Sequence, residues 1–138
     1  MTNQEKIQFL RQYRSILEKI EILQKDLIRW RELGEKVTPS LTGMPKSGQD
    51  CPKVEQAAVM LCDIQSQLSE RIAQSTQLYM QILQAIESVK DVTLQNLLHR
   101  RYIDGEKWEE IAVDMHYSWQ WVHKLHKRAL NAIKIIKS

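Results

Sequence analysis

The last part of the chain concentrates side chains that can bind a polyanion. Between Met115 and Ser138 there are three His and five Lys or Arg residues but no Asp or Glu. The cations are Lys124, Lys127, Arg128, Lys134 and Lys137. Nearby acids all precede this segment, at Asp104, Glu106, Glu109, Glu110 and Asp114. Because the whole chain carries only +3, the cationic character is local, and a local surface of one sign favours contact with phosphates.

Residues 118 to 136 are predicted to form one helix, and their spacing puts these cations and the apolar residues on opposite faces of it. At 100° per residue, the buried face is predicted to hold Val122, Leu125, Ala129 and Ile133. The opposite face holds Gln120, Lys124, Lys127 and Asn131, with His123 beside it. Gln can pair with adenine, Lys can donate to guanine, and Lys or Arg can contact phosphates. DNA contact is therefore predicted; a merely solvated face is the alternative, but such a face usually carries both signs.

Two tryptophans flank the apolar stripe of this helix. Trp119 lies on one edge and Trp121 on the other, with Arg128 next to Trp121. A Trp side chain is more often a packing residue than a base contact. At least one of the two is therefore predicted to seal the C-terminal motif against the N-terminal helices.

Two shorter helices are predicted to position this one, at 92 to 103 and 107 to 115. Asp104-Gly105 is a turn dipeptide between them, and Ser118 is a good N-cap for the last helix. Ala112 is small enough for a close helix crossing, and His116 tolerates positive φ in the turn. Residues 91–138 are thus predicted to form a three-helix domain with a helix-turn-helix.

Residues 1–90 are predicted to form a long antiparallel helical hairpin, which makes the chain all-α. Apolar residues from Phe9 to Trp30 alternate at spacings of 4 and 3, which predicts a helix over 3 to 33 that ends at Gly34. All three prolines and three of the four glycines lie between residues 34 and 53, so an irregular loop is expected there. A second apolar pattern from Leu61 to Val89 predicts the returning helix.

Several classes of function lack support in the sequence. Cys51 and Cys62 form no CxxC pair, and the histidines of the C-terminal segment have no second ligand pair at zinc spacing. There is no glycine-rich phosphate loop, no Ser-His-Asp pattern and no pair of acids at a predicted cleft. We therefore expect no metal, no cofactor and no enzymatic activity. No apolar run approaches the roughly 18 residues that span a bilayer. The cysteine pattern and the charged residues after Met1 lead us to expect a cytoplasmic location.

The motif within residues 94 to 130 consists of Tyr102, Asp104, Gly105, Glu109 to Ala112, Ser118, Val122 and Arg128 to Leu130. At these positions the segment resembles the fourth conserved region of primary bacterial sigma factors. The resemblance implies that Trp119, Gln120, His123 and Lys124 face the DNA groove. Trp119 and Gln120 replace the usual Arg and Glu, so the sigma promoter preference does not carry over. Arg101, in a cationic run with His99 and Arg100, is expected to stabilise a helix end or to contact phosphate.

A wider similarity is carried by Thr42 to Pro45, Tyr117-Ser118 and the ending around Val122 to His126. This similarity of the whole chain is to small phage-encoded late-gene regulators of the ArpU and RinA type. It implies a sequence-specific activator of phage late genes that binds double-stranded DNA in a bacterial host. A terminase small-subunit-like DNA recognition protein and a polymerase-binding interaction module are the alternatives. Homodimerisation through the N-terminal helices and contact with host RNA polymerase both stay open.

Overall fold

A computed structural model describes residues 1–37 and 51–136 of the chain, and these residues form helices and short turns without a strand. The predicted all-α class is confirmed. The helices are α1 (Asn3–Val37), α2 (Cys51–Glu87), α3 (Val92–Leu98), α4 (Trp108–Met115) and α5 (Trp119–Ala132). A π-helical segment, His99–Ile103, follows α3. Among the described residues, no helix is both long and apolar enough to cross a membrane.

The two long helices extend further than the sequence predicts. α1 continues through Gly34 to Val37, because one glycine inside a helix costs only about 1 kcal/mol. α2 begins at Cys51, and Pro52 is tolerated in its first turn, where the missing N–H would have no helical partner. The predicted loop at 34–53 is therefore wrong at both ends. Its remainder, residues 38–50, which includes the Thr42 to Pro45 motif, lies outside the described residues.

The chain divides into two compact units, one of residues 1–17 and 74–138 and the other of residues 18–73. Both α1 and α2 contribute to each unit. The predicted boundary at 90/91 does not coincide with these limits. The reason is that the first turns of α1 and the last turns of α2 share a core with the C-terminal helices.

The core of the first unit joins residues that are far apart in the sequence. Its most buried large side chains, each less than 2% exposed, are Leu10, Ile82, Val89, Leu97, Leu98, Ile111 and Val122. The Tyr13 and Tyr79 rings also meet, with centroids 5.6 Å apart. Burying an apolar side chain of this size contributes about 1.5–3 kcal/mol, so this shared core stabilises the arrangement of the short helices.

Polar contacts fix the start of α1 against the C-terminal helices within this unit. Asn3 Nδ2 donates to Asn131 Oδ1 at 3.1 Å, and Lys6 Nζ donates to the Leu130 carbonyl at 2.7 Å. Lys6 therefore places a positive charge at the C-terminal end of α5, where it interacts favourably with the negative end of the helix dipole. Further along α1, Arg14 Nη1 donates to the Ile103 carbonyl at 3.4 Å.

α5 ends at Ala132, so its predicted extension to residue 136 is wrong. Ile133 leaves the helix with φ −69° and ψ 138°, yet its side chain stays buried at 2% exposure. The next residue is held by a tertiary contact, because the Lys134 backbone N donates to Ser88 Oγ at 2.9 Å. The helical spacing of apolar residues therefore continues to Ile133, although the helical backbone ends one residue earlier.

The predicted helix over 92–103 is likewise α-helical only in part. After Leu98 the chain continues as the π-helical segment, in which the Asp104 backbone N donates to the His99 carbonyl at 3.0 Å. This wider turn buries both Tyr102 and Ile103. Hydrophobic periodicity over so few residues cannot distinguish the two kinds of turn.

The second unit has its own buried apolar residues, which come from both long helices. Ile20, Ala57, Ile64 and Leu68 are buried, and a side chain at Gly34 would stand 3.8 Å from Ala57 Cβ. Several large apolar side chains of this unit remain exposed: Ile22, Ile28, Leu33, Val59 and Ile72.

Candidate nucleic-acid interface

Local hydrogen bonds set the three-residue turn between α4 and α5. His116 has φ 59° and ψ 40°, the left-handed conformation that the sequence allowed. The His116 N donates to the Val113 carbonyl at 3.2 Å and the Tyr117 N donates to the Ala112 carbonyl at 2.9 Å, which closes α4. Ser118 Oγ accepts from the Trp121 N at 3.1 Å, so Ser118 caps α5 as predicted.

The start of α4 is fixed in the same local way. Gly105 has φ 74°, which confirms a turn at Asp104-Gly105. The Lys107 N donates to the Glu110 carboxylate at 3.4 Å, and Glu109 and Glu110 both lie in the first turn, where the helix dipole favours negative charge. α4 therefore begins with acids, and cations are concentrated on α5.

The buried face of α5 matches the predicted one. Val122 and Ala129 are 0% exposed, and Leu125 and Ile133 are almost as deeply buried. They share the core with Ile111 and Ala112 of α4, so Ala112 lies inside the packed region as expected of a small residue near a helix crossing. This packing fixes which side of α5 faces solvent.

The solvent side of α5 is here called the α5 cationic face, and its members are Gln120, Lys124, Lys127 and Arg128. All four side chains are exposed, and no carboxylate of the described residues forms an ion pair with the three cations. The Arg128 guanidinium lies 5.1 Å from the Trp121 ring centroid, a favourable cation–π distance. Asn131, predicted on the same face, is exposed but bonds to Asn3.

Neither tryptophan of α5 seals the motif, so that prediction is wrong. Trp119 is 52% exposed and Trp121 is 36% exposed. The aromatic side chain that closes this edge of the core is Trp108, from α4, whose ring centroid lies 4.5 Å from that of His126. Trp119 and Trp121 stand at the margins of the apolar stripe, where solvent reaches them.

His123 lies between two tryptophans rather than on the open surface. Its ring centroid is 4.0 Å from that of Trp119, in an edge-on arrangement, and 5.1 Å from that of Trp108. Its Nε2 atom is buried and has no hydrogen-bond partner among the described residues. In this conformation His123 supports the exposed Trp119 ring.

Arg101 lies on the π-helical segment and is not a member of the α5 cationic face. Its guanidinium stands 4.7 Å from the Trp108 ring centroid, and Nη1 donates to the Glu106 carbonyl at 3.1 Å. Arg101, Trp108, His123 and Trp119 therefore form one continuous series of contacts, here called the aromatic stack. The sigma-like resemblance implied that Trp119 and His123 face the same way, but the sequence gave no signal for Trp108 or Arg101 beside them.

A buried polar pair, Tyr102 and His126, lies next to the stack. Tyr102 Oη and His126 Nε2 are 2.7 Å apart. Burial, together with the charges of His123, Arg101 and Arg11, lowers the pKa of His126 to about 4. Burial also raises the pKa of Tyr102 to about 12, against the opposing effect of Arg101 and Arg11. Near neutral pH this hydrogen bond therefore joins an un-ionised hydroxyl to a neutral imidazole.

The site can thus bind anions electrostatically through the α5 cationic face and present a supported aromatic surface at Trp119. Within the part of the chain that the structure describes, no three His, Cys, Asp or Glu side chains are grouped to hold a metal ion. Comparison with protein-family models, with curated proteins and with solved structures finds no match to this chain.

Proposed function

We propose that this chain is a non-enzymatic, sequence-specific DNA-binding regulator of transcription that activates phage late genes in the cytoplasm of a bacterial host. The observation that carries the proposal is the α5 cationic face. It combines Gln120, Lys124, Lys127 and Arg128 on one exposed side of a helix, with no carboxylate of the described residues paired to its cations. A face of one sign suits a duplex, whose backbone carries a regular series of phosphates.

In this proposal α4, the turn at His116 and α5 act as a helix-turn-helix, with α5 in the major groove. Trp119 and Gln120, in the first turn of α5, contact bases. Lys124, Lys127 and Arg128 lie further along the helix and contact phosphates or guanine. His123 positions the Trp119 ring, and Arg101 belongs to the aromatic stack behind it.

The N-terminal helices are proposed to pair as an antiparallel hairpin. Supporting contacts join early residues of α1 to late residues of α2, as at Tyr13 and Tyr79, and late residues of α1 to early ones of α2, as at Gly34 and Ala57. A homodimer is proposed to form through the N-terminal helices, because side chains such as Ile22, Leu33 and Val59 leave apolar surface exposed. Sedimentation equilibrium of the full chain tests the dimer, and a monomer at all concentrations would contradict it.

The DNA proposal is tested with duplexes selected by the protein from fragments of its source genome. Removal of a phosphate contact by Lys124→Ala or Lys127→Ala should lower the slope of log binding constant against log salt by about 0.9. Lys19→Ala removes an exposed cation of α1 that belongs to the other unit, and it serves as the matched control. If both the Lys124 and the Lys127 variant kept the wild-type slope, these lysines would not contact DNA phosphates.

Base contact requires a separate measurement, because phosphate contacts carry no sequence information. Gln120→Ala should weaken the best site by about 1–3 kcal/mol and relax the preference at one base pair. The measurement is binding to a set of duplexes that differ from the selected site at one position each. Equal weakening on every duplex would contradict a base contact by Gln120.

Activation is tested by transcription with purified host polymerase on the selected fragment. We expect output to rise when the protein occupies its site. A ring of many subunits, or unchanged output at full occupancy, would favour DNA recognition for a phage terminase. Polymerase binding without any DNA affinity at low salt would favour an interaction module.

A further inference from the structure

A second group of cations lies outside the α5 cationic face. It consists of Arg11 and Arg14 on α1 and Arg101 on the π-helical segment, here called the arginine cluster. Among the described residues, none of the three pairs with a carboxylate. The adjacent Arg100 is different, because its Nη1 lies 3.3 Å from both Glu106 and Asp114. The cluster therefore retains positive charge that the nearby acids do not neutralise.

Contacts with the C-terminal helices define the course of α1 past this cluster. Lys6 binds the Leu130 carbonyl near the end of α5, and two turns later Arg14 binds the Ile103 carbonyl before α4. Arg11 lies between these two anchored residues, next to Leu10, which is fully buried. Between Asn3 and Leu17 the cations are Lys6, Arg11 and Arg14, and the only acid is Glu5, so this half of α1 is cationic.

The cluster lies close to the Tyr102–His126 pair and to the aromatic stack. Burial is the main reason for the low pKa of His126, and the charges of Arg101 and Arg11 both add to it. Arg101 also lies over the Trp108 ring, which contacts His123, which in turn contacts Trp119 at the start of α5. Side-chain contacts thus lead from the cluster to the helix end that is proposed to contact bases.

The members of the cluster differ in the donors that they leave available. Arg14 donates to the Ile103 carbonyl, and Arg101 donates to the Glu106 carbonyl while it covers Trp108. The side chain of Arg11 is exposed and makes no hydrogen bond or ion pair with another described residue. A guanidinium offers five donors in a planar fork that matches a phosphate.

We infer that α1 contributes to the DNA interface, with Arg11 contacting a backbone phosphate of the same duplex whose groove receives α5. This inference rests on the proposed DNA-binding function. The contact fixes the position of α5 on the duplex without recognising a base, because phosphate contacts carry no sequence information. Loss of Arg11 therefore weakens binding to specific and to non-specific DNA equally.

The test measures salt dependence with the full chain and two labelled duplexes, the selected fragment and a scrambled sequence of the same length. Arg11→Gln should lower the salt slope by about 0.9 on both duplexes. Arg11→Lys, which keeps the charge, should restore the slope. Lys19→Gln is the control on the same helix, and it should leave the slope at the wild-type value.

The outcomes separate this inference from the proposed function. If Lys124→Ala lowers the slope and Arg11→Gln does not, α1 is not part of the interface although the chain binds DNA. Equal decreases for Arg11→Gln and Lys19→Gln would reflect total charge and would also overturn the inference. If the wild-type chain binds neither duplex at low salt, the proposed function itself fails.

Discussion

His126 should make the stability of the protein dependent on pH below neutrality. Its folded-state pKa is about 4, against an ordinary value of 6.5. The unfolded chain therefore binds more protons than the folded chain between these values. The stabilisation is fully present above about pH 6.5 and is lost as the pH falls towards 4. Linkage gives a loss of about 2 kcal/mol by pH 5 and about 3 kcal/mol by pH 4.

The His126→Gln variant isolates this contribution. Gln can form a hydrogen bond with the Tyr102 hydroxyl but does not titrate, so other ionisable groups affect the wild type and the variant alike. Urea unfolding, followed by circular dichroism and tryptophan fluorescence, measures both proteins at about pH 7.5, 5 and 4. The stability of the wild type relative to the variant should fall by about 3 kcal/mol over this range.

A second variant tests the cause of the low pKa. Burial is its largest cause, so Tyr102→Phe, which removes the hydroxyl 2.7 Å from His126 Nε2, should keep most of the pH dependence. A stability difference between wild type and His126→Gln that stays constant with pH would refute the argument that His126 is buried in its neutral form. An imidazole titration midpoint near 6.5 by NMR would refute it independently.

The remaining predictions concern the turn before α4 and the shared core. Gly105→Ala should destabilise the protein by about 1–2 kcal/mol, because φ is 74° there and a left-handed conformation disfavours a Cβ atom; Gly105→Asn should cost less, and equal urea midpoints for Ala and wild type would contradict this. A fragment of residues 91–138 should lack cooperative unfolding, since Leu10, Ile82 and Val89 complete its core. A sharp thermal transition of that fragment would show that the C-terminal helices fold alone.

The sequence alone determined the features that depend on near neighbours in the chain. Helical class and the two faces of α5 follow from the spacing of apolar residues over a few turns. The turn at Gly105, the left-handed His116 and the Ser118 cap follow from the conformational preferences of single residues. The α5 cationic face was predictable for the same reason, because Gln120, Lys124 and Lys127 lie on one side of one helix. Its contact with DNA stays a prediction.

Tertiary structure decided the features that join distant residues. Trp108 closes the core in place of Trp119 or Trp121, and Tyr102 meets His126 across 24 positions, which no periodicity within one helix can indicate. α5 stops at Ala132 because Lys6 of α1 and Ser88, in the turn after α2, bind the backbone near its end. The limits of the two compact units differ from the predicted boundary at 90/91 for the same physical reason. A core is shared by any apolar faces that meet in space, and their separation along the chain leaves no mark in the local pattern.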